Sequence, residues 1–480
     1  MEINENRKKH KFRRTVLTIL LAIVCFLAGV FSSSFFFRTP QSPARSNEST
    51  LEQIEYLMGS GWLYARDYED LDKELENKAL YGMTTFDFDP YTSYMSKEEM
   101  DSLAESINRD YVGIGLQYAN EDGEARVMRV FKDSPAEKAG IEVGDIIFAV
   151  DGKIIDDLEN TELRELVLGE KGSEVIIGIR RGNETFDLSV IRDEISATAF
   201  VYVEDGCLIV ELDSFGETTA DEIVRYLDAY PQIDRVIFDV RNNGGGYQSA
   251  IRDVLGLFIG PNEVYLIQRD VDGNEFADHT PADTKYYDQI EKVVILTNPE
   301  TASAAEVFSI TMKEKAKNVT LVGETTFGKG VIQGNKSLNN GGVLKMTNYY
   351  WYSPSGVSIN KTGVVPDVEV RMPDIYYEVY YPMEDDEKYE YDSVGEKVRF
   401  AQMSLQFLGY DVDRCDGYFD RSFSDALIAF KGENGLSAMA VLDKPTYDTI
   451  ISRTQQKISK DPSCDLQMLK AKEIINENQH

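Results

Sequence analysis

Ser303 and Lys329 are the two residues of this sequence whose types and spacing could perform covalent catalysis. Ser303 lies in the run Thr-Ala-Ser-Ala-Ala-Glu-Val, and Lys329 lies in the run Thr-Phe-Gly-Lys-Gly-Val-Ile-Gln. A serine hydroxyl becomes a nucleophile when a base takes its proton, and a lysine can be that base. Of the 3 histidines in the chain, only His279 lies away from the two ends, so a Ser-His-Asp triad would depend on that residue alone. The composition therefore favours a Ser-Lys pair.

The position of Ser303 is suitable for a nucleophile. A buried-type strand over residues 293–296 and a short loop precede it, so we expect Ser303 to begin the next helix, where free N–H groups and the helix dipole stabilise negative charge. A plain helix N-cap is the alternative, and it would be the better interpretation of an isolated serine. Lys329 argues against isolation, because its Gly-Lys-Gly loop can return to the same end of the sheet. Burial beside Phe327 would lower its pKa, and Gln333 could accept a hydrogen bond from its amine.

A glycine-rich run follows another buried-type strand: residues 239–246 read Asp-Val-Arg-Asn-Asn-Gly-Gly-Gly. Glycines let the backbone approach a reacting carbonyl group and direct N–H groups at it, as an oxyanion hole requires. A phosphate-binding loop or a plain turn is the alternative. Neither fits well, because no Gly-Lys-Ser or Gly-Lys-Thr follows the glycines.

A competing pattern occurs further along the chain. Residues 358–361 spell S-x-x-K and residues 361–363 spell K-T-G, which are signatures of penicillin-interacting acyl enzymes. That chemistry needs the two motifs on separate elements, whereas here they share Lys361. We predict a hairpin at this stretch instead.

The surrounding elements predict an α/β multidomain protein. Strands alternate with helices across residues 196–373, which indicates a mostly parallel sheet with active groups at the carboxyl ends of its strands. Residues 111–191 read instead as short strands and turns, with a glycine-closed helix Ser-Pro-Ala-Glu-Lys-Ala-Gly at 134–140. A β-rich domain is therefore expected ahead of the α/β core.

The β-rich segment resembles a PDZ domain, on the run at 134–140 followed by Gly-Asp-Ile-Ile at 144–147 and Asp-Gly at 151–152. By that resemblance, backbone N–H groups of one loop hold a free C-terminal carboxylate, and the adjoining strand edge accepts the peptide by β-addition. An all-β spacer without a ligand is the alternative. The residues of the implied loop are Val112, Gly113, Ile114, Gly115 and Leu116.

Further runs at 89–95 (Asp-Pro-Tyr-Thr-Ser-Tyr-Met), 354–356 (Pro-Ser-Gly) and 363–368 (Gly-Val-Val-Pro-Asp-Val) extend the likeness. With the three motifs above, residues 50–372 resemble the carboxyl-terminal processing peptidases, also called tail-specific proteases. The resemblance implies a serine endopeptidase without metal or cofactor, whose PDZ domain recruits a substrate C-terminus and gates access to the site. The implied roles are nucleophile for Ser303, general base for Lys329, positioning of the lysine for Gln333, and an oxyanion hole made by the N–H groups of Gly245 and Ala304.

One position departs from the family pattern. The turn at 168–172 carries Leu168 where the family often has an arginine before the first glycine. A gating role of that arginine is therefore not carried over to this chain.

Residues 394–452 show helix-turn-helix signals and resemble the small three-helix peptidoglycan-binding domain of cell-wall enzymes. Ala440 stands where that family usually has glycine, a mild departure. The resemblance implies peptidoglycan as a partner, with a protein-contact module as the alternative. No ligand residue is assigned in this domain.

The N-terminus combines a basic cluster over 7–14 with an apolar run over 15–37. That run is longer than an ordinary signal-peptide core and can span a bilayer, which takes about 20 residues, so we expect a retained anchor. A cleaved signal peptide is the alternative. The formal net charge of −33 argues against a nucleic-acid partner, and the 4 scattered cysteines show no metal-like spacing.

The predicted protein is a membrane-anchored, wall-associated serine endopeptidase on the extracellular side of a bacterial cell, acting on proteins with accessible C-terminal tails. A non-catalytic PDZ adaptor and a peptidoglycan hydrolase are the alternatives. A helical N-terminal arm is compatible with a homo-oligomer. The expected domains are a cytoplasmic basic segment (1–14), a transmembrane signal anchor (15–37), a linker (38–49), the helical arm (50–110), the PDZ domain (111–192), the Ser/Lys peptidase core (193–373), an acidic linker (374–393), the peptidoglycan-binding-like domain (394–452) and a tail (453–480) that is mobile from Asp461 onward.

Overall fold

The structure is a computed structural model that describes residues 49–121, 124–131, 134–155, 160–182, 184–196 and 198–477. The chain divides after Thr84 into two compact units. The predicted membrane anchor and the basic segment before it lie outside the described residues. Within the described ranges, no helix has both the length and the apolar character that a membrane span requires.

The first unit contains two helices, α1 (Thr50–Gly61) and α2 (Leu71–Thr84), with a 3-10 turn at Ala65–Asp67. α1 begins at Ser49, whose hydroxyl accepts the Glu52 N–H at 3.3 Å while the Glu52 carboxylate accepts the Ser49 N–H at 2.6 Å. Neither helix buries a residue. The predicted helical arm is divided by the structure, because residues 85–110 belong to the second unit.

A short strand and a helix open the second unit, β1 (Ser93–Met95) and α3 (Lys97–Asn108). α3 begins with the same kind of reciprocal cap, between Ser96 and Glu99. It ends at Arg109, which has a left-handed φ of 53°. The chain therefore turns sharply from α3 into the β-rich domain.

The β-rich domain has the antiparallel architecture expected from its short strands and turns. Its main sheet has the order β3-β4-β5-β7-β8 with β6 paired to β5, and a separate two-stranded sheet joins β2 to β9. The elements are β2 (Asp110–Gly113), β3 (Leu116–Glu121), β4 (Glu124–Val130), α4 (Pro135–Ala139), β5 (Ile146–Val150), β6 (Lys153–Ile154), α5 (Asn160–Val167), β7 (Glu174–Arg181), β8 (Glu184–Ile191) and β9 (Asp193–Ser196).

A six-stranded sheet with the order β10-β11-β12-β15-β16-β19 forms the centre of the next domain. Every neighbouring pair is parallel except β10 and β11, as the alternation of strands and helices predicted. The strands are β10 (Ala199–Glu204), β11 (Cys207–Leu212), β12 (Arg235–Asp239), β15 (Lys292–Thr297), β16 (Val319–Gly323) and β19 (Val368–Glu369), and the helices between them are α6 (Thr219–Ala229), α7 (Gln248–Ile259) and α8 (Ala304–Lys315).

Both faces of this sheet are covered, which explains why its strands read as continuous apolar runs. Val236 and Phe238 of β12 face the core that α6, α7 and α8 build. Ile237, between them, faces the other side, where it packs with Ile474 and Ile475 of a C-terminal helix. The central sheet is thus a filled middle layer.

The covering helix is α12 (Leu466–Asn476), and it corrects the prediction of a mobile tail from Asp461 onward. Its Ala471, Ile474 and Ile475 are buried against the central sheet. The prediction was wrong because the many charged and amide residues of the segment masked apolar residues at helical spacing.

A second, antiparallel sheet lies beside the cavity described below and brings distant segments together. Its order is β1-β18-β13-β14, with β17 also paired to β18. β1 joins it through pairing of Ser93 with Lys345. The later strands are β13 (Val264–Arg269), β14 (Glu275–His279), β17 (Val331–Ser337) and β18 (Val343–Tyr352).

The stretch 358–363 lies in turns between β18 and β19, so the predicted hairpin is wrong. Lys361 is exposed, and its N–H donates to the Gly328 carbonyl at 2.8 Å. An exposed lysine that supports a neighbouring loop through its backbone does not favour the penicillin-type interpretation.

Three helices enclose the C-terminal core, in which Phe419, Phe423 and Tyr447 are fully buried. This agrees with the helical domain expected from residue 394. Its elements are a 3-10 turn (Asp374–Tyr377), β20 (Lys388–Glu390), α9 (Glu396–Leu408), α10 (Arg421–Glu433), β21 (Val441–Asp443), α11 (Lys444–Lys460) and a 3-10 turn (Pro462–Cys464).

Candidate active site

Loops that follow β12, β15 and β16 meet at a cavity of about 490 Å³. This is the edge of the sheet, at the carboxyl ends of parallel strands, where functional groups gather. The exposed His279 is not among the described residues that line the cavity. The structure does bring there the five residues predicted for catalysis: Ser303, Lys329, Gln333, Gly245 and Ala304.

Ser303 precedes α8 with backbone angles of φ 56° and ψ −116°. Ordinary caps in this chain are extended, as at Ser96 with φ −64° and Ser134 with φ −70°. A non-glycine residue with positive φ costs on the order of 1–3 kcal/mol and persists where the surrounding structure enforces it, often at functional sites. The strained backbone of Ser303 therefore favours a functional role over that of an ordinary N-cap.

The buried carboxylate of Glu306 enforces this conformation. Its Oε2 accepts the N–H groups of Ser303 at 2.8 Å and Lys329 at 2.9 Å. Its Oε1 accepts the Gly328 N–H at 2.6 Å and the Thr326 hydroxyl at 2.5 Å. One side chain therefore fixes the backbone of both the serine turn and the lysine loop. Sequence reasoning missed this role, although a glutamate three residues after a helix cap is the spacing of a capping box.

The pKa of Lys329 is lowered from 10.5 to about 8, mainly because burial disfavours the charged amine. The positive charge of Lys345 lowers this pKa further, whereas the charge of Glu306 raises it. The Lys329 Nζ atom lies 4.7 Å from the ring centroid of Tyr91. Within the described residues, no hydrogen bond joins Nζ to the Ser303 hydroxyl. The lysine thus has a pKa suited to a base, but within the described residues it is not hydrogen-bonded to the Ser303 hydroxyl.

Gln333 does not bond to the lysine either. Its Nε2 donates to the Thr347 hydroxyl at 3.2 Å, and Thr347 in turn donates to Asp89 Oδ1 at 3.1 Å. A bulge in the pairing of β17 with β18 falls between Ile332 and Gln333. The predicted bond from the amine to Gln333 is absent from this arrangement, while both residues line one cavity.

Gly245 lies against the serine turn. A Cβ atom at Gly245 would lie 2.9 Å from the Ser303 Cβ and 3.0 Å from the Ala304 nitrogen. The Gly245 N–H is occupied, because it donates to the buried Asn243 Oδ1 at 2.8 Å. The Ala304 N–H has no hydrogen-bond partner in the described part of the chain. Of the two predicted oxyanion donors, the Ala304 N–H is therefore available in the described part of the chain, and the Gly245 N–H is bonded to Asn243.

A second cavity of about 760 Å³ lies along β3 and α5 of the β-rich domain. Three of the five residues predicted to hold a C-terminal carboxylate line it: Ile114, Gly115 and Leu116. Val112 and Gly113 do not line it, because β2 pairs them with Glu194 and Asp193 of β9. The residues that line both this groove and the serine cavity are Ser106, Arg109 and Asp213.

The turn with Leu168 in place of an arginine is supported by Arg192. This guanidinium group donates to the Val167 carbonyl at 2.8 Å and the Leu166 carbonyl at 3.0 Å, which closes the end of α5. A Cβ at Gly169 would lie 2.8 Å from the Arg192 Nε. The turn therefore has an arginine beneath it that sequence reasoning did not identify.

Comparison with known proteins agrees with this architecture. Residues 206–370 match peptidase family S41, residues 112–191 match a PDZ domain, and residues 394–450 match a peptidoglycan binding domain. The carboxy-terminal processing protease CtpA of Bacillus subtilis (strain 168) is 32% identical over 459 residues, which cover 95% of each chain. CtpB of the same organism is 31% identical over 424 residues, or 85% of each chain.

A solved structure of a photosystem II D1 C-terminal processing protease is also similar, with 25% identity and a TM-score of 0.38. The match covers 67% of this chain and 91% of that one. From the similarity to CtpA along nearly the whole chain, the protein belongs to peptidase family S41, the carboxy-terminal processing proteases. It is a serine-type peptidase with a PDZ domain and a C-terminal helical domain of the peptidoglycan-binding kind.

Proposed function

We propose that this peptidase is an endopeptidase in which Ser303 is the nucleophile and Lys329 is the general base. The observation that carries the proposal is the convergence of a strained serine at a helix N-terminus and a lysine with a lowered pKa on one cavity. Membership of a peptidase family leaves the non-catalytic adaptor without support.

The chemistry passes through an acyl-enzyme. The uncharged Lys329 amine takes the Ser303 hydroxyl proton while Oγ bonds to the carbonyl carbon of the scissile peptide. The carbonyl oxygen receives the electron pair of the C=O bond, and backbone N–H groups at Ala304 and Gly245 stabilise its charge. When the C–N bond breaks, Lys329 gives its proton to the leaving amine. A water molecule, deprotonated by Lys329, then hydrolyses the ester and restores Ser303.

Two rearrangements separate the described arrangement from the reacting one. The Lys329 Nζ must leave the Tyr91 ring for the Ser303 hydroxyl, with Gln333 released from Thr347 to hold it. The Gly245 N–H must leave the Asn243 side chain so that it can face the oxyanion. We infer that the structure describes a resting state of the enzyme.

The substrate is a protein with an accessible C-terminal tail, held in the PDZ groove. The groove is the recognition surface of a domain class that binds free C-termini, and the relatives CtpA and CtpB carry carboxy-terminal processing in their names. Helix α3 contributes Ser106 to both cavities, so a tail in the groove would lie beside the catalytic cavity.

We further propose that the enzyme acts outside a bacterial cell, anchored in the membrane by residues 15–37 and held at the wall by its C-terminal domain. The basic cluster followed by an apolar run supports the anchor, and the match over residues 394–450 supports peptidoglycan as the partner. The helices of the first unit, whose residues are all solvent-accessible, are compatible with self-association.

The test uses the full chain in phospholipid vesicles and an unfolded protein substrate, offered with a free or an amidated C-terminus. Wild-type enzyme should cleave the free-tailed substrate faster, while Ser303→Ala and Lys329→Ala should form no new N-termini. Full cleavage by Lys329→Ala would overturn the role of the lysine. Equal rates on the two substrates would overturn recognition of the free tail and leave the catalytic pair intact.

A further inference from the structure

The run Asp-Pro-Tyr-Thr-Ser-Tyr-Met at 89–95 has no part in the chemistry above, yet its Tyr91 lies beside Lys329, which lines the catalytic cavity. Tyr91 places its ring centroid 4.7 Å from the Lys329 Nζ atom. Cations within about 6 Å of a ring centroid are attracted to the face of the ring. Within the described ranges, the Lys329 Nζ atom forms no hydrogen bond or ion pair, so the Tyr91 ring is the side-chain group that we consider as its partner.

The segment is held rigidly enough to position that ring. The Asp89 carboxylate accepts the N–H groups of Tyr91 at 3.2 Å and Thr92 at 3.3 Å, and the Thr92 hydroxyl at 2.6 Å. The Thr92 hydroxyl also accepts the Thr347 N–H at 3.0 Å. Tyr94, in β1, is 4% exposed and seals the segment against β18. This network fixes the backbone of Tyr91 beside the Lys329 amine.

The same network reaches Gln333, the residue expected to position the lysine. Asp89 accepts the Thr347 hydroxyl, and that hydroxyl accepts the Gln333 amide. One short segment thus holds both the general base and the residue expected to position it. The lysine backbone is fixed separately, since its N–H bonds to Glu306 and its carbonyl accepts the Trp351 indole N–H at 2.8 Å.

Charged groups face the amine from the other elements packed around it. Lys345 approaches from β18 and opposes its charge, while Glu306 approaches from α8 and favours it. Neither forms an ion pair with Lys329 in the described residues. The uncharged amine that catalysis needs therefore depends mainly on burial, and the Tyr91 ring is a bulky group placed next to Nζ.

We propose that Tyr91 is a positioning residue for the general base: its ring covers the Lys329 amine, excludes water from it, and holds it in the cavity until the nucleophile is engaged. The inference rests on the proposed Ser303 and Lys329 pair. It assigns to the Asp-Pro-Tyr run a place in the catalytic site.

The direction of the effect follows from solvation. Removal of the ring admits water to the ammonium form and moves the pKa of Lys329 back toward its ordinary value. A rise of one pH unit in this pKa lowers the uncharged fraction about tenfold at a fixed pH below it. The attraction of the ring for the ammonium form acts in the opposite direction, and we expect the exclusion of water to outweigh it. The hydroxyl of Tyr91 contributes little, because the ring supplies the cover.

The test compares wild type, Tyr91→Ala and Tyr91→Phe as full chains in vesicles, on a free-tailed peptide, with kcat and KM measured across the pH range. Tyr91→Ala should lower kcat/KM about tenfold near neutral pH and should move the acidic limb of the kcat/KM profile about one unit higher, because this profile reports the free enzyme, in which the ring lies over the amine. Tyr91→Phe should restore the wild-type limb. Tyr391→Ala, a change at a tyrosine that is 62% exposed in the C-terminal domain, serves as the unaffected control.

Two results would overturn the inference. One is a Tyr91→Ala enzyme whose limb coincides with that of the wild type, since a purely structural defect lowers kcat/KM at every pH alike. The other is a Tyr91→Phe enzyme as impaired as Tyr91→Ala. If the proposed Ser303 and Lys329 pair were itself wrong, Lys329→Ala would remain active. That result differs from failure of the Tyr91 inference alone, in which Lys329→Ala is inactive and the Tyr91→Ala limb coincides with that of the wild type.

Discussion

At the scale of single residues, the proposed Ser303 and Lys329 pair makes the fraction of Lys329 that carries no proton the decisive quantity. Burial lowers the pKa of this amine to about 8, so the ammonium form predominates below that value and cannot act as a base. We expect kcat/KM to rise with pH, reach half its plateau near pH 8, and then level off. Initial rates on a peptide without titratable side chains, from about pH 6 to about pH 10, measure this limb.

Lys345 offers a matched pair of variants for the same measurement. Its positive charge lowers the pKa of Lys329, so Lys345→Met should move the limb to higher pH. Lys336, an exposed lysine on the neighbouring strand β17, should leave the limb unchanged when replaced by Met. A limb that moves equally in both variants would show a general effect of net charge instead.

Residue types predicted which residues lie at the candidate site, but not which contacts those residues make. Ser303, Lys329 and the glycine run are visible as local motifs, because each carries its chemistry in a few neighbouring letters. The ring of Tyr91 over Nζ and the Asn243 side chain on the Gly245 N–H depend on contacts between separate segments. No spacing in the chain encodes such contacts, so the resting arrangement could not be predicted.

At the scale of elements, the glycine loop and the serine turn are packed so closely that one Cβ atom is decisive. Gly245 has φ 113°, and an added Cβ would lie 2.9 Å from the Ser303 Cβ. Gly245→Ala should therefore lower kcat about a hundredfold or more, as expected when an oxyanion donor is lost. Gly244→Ala is the control, because a Cβ at Gly244 meets no atom within 4 Å. Equal activity of the two variants would contradict the packing argument.

The C-terminal helix is connected to that same loop through Arg241, whose guanidinium group is partly buried between two carboxylates. It donates to Asp465 at 2.8 and 2.7 Å and to Asp239 at 2.9 and 2.6 Å. Asp465→Ala should lower the melting temperature, because an arginine paired to one carboxylate keeps a partly unsatisfied buried charge. It should also lower kcat, since Arg241 immediately precedes the glycine loop. Replacement of the exposed Glu473 by Ala should change neither quantity; this comparison needs only thermal denaturation and a rate assay.

The alternation of strands and helices predicted the parallel sheet because β12 and β15 are short apolar runs with turn signals after them. The same reasoning failed at α12, where Leu466, Met468, Ala471 and Ile475 are interrupted by charged and amide residues. What gives that helix its place is the second apolar face of the sheet. The sequence predicts a helix at one place and an apolar strand at another, but no local pattern indicates that the helix packs on that face of the sheet.

At the scale of the whole molecule, the domains of the second unit are joined by specific contacts. Arg129 of the PDZ domain forms an ion pair with Glu211 of β11 and places its guanidinium carbon 4.4 Å from the Phe200 ring centroid. Phe131 packs edge-on against the same ring at 5.9 Å. A charged contact on an aromatic surface is suited to hold two domains in one orientation while remaining breakable.

This contact predicts the outcome of a charge reversal. Arg129→Glu and Glu211→Arg should each loosen the interface, because each places like charges together. The double variant should recover much of the loss. Hydrogen exchange of the amides of β10, which carries Phe200, measures the loosening. If the double variant exchanged as fast as the faster single variant, the ion pair would not hold the domains.

The position of α12 has a consequence for the biogenesis of the enzyme. A ribosome makes residues 466–476 after the wall-binding domain, so until they emerge the apolar face formed by Ile237, Val294 and Leu296 has no cover. The Arg241 guanidinium group also lacks its ion pair with Asp465 until then. The middle layer of the peptidase domain is therefore completed only after the C-terminal helical domain has been synthesised. We expect a chain that ends before residue 466 to have a less stable glycine loop, because Arg241 then lacks Asp465.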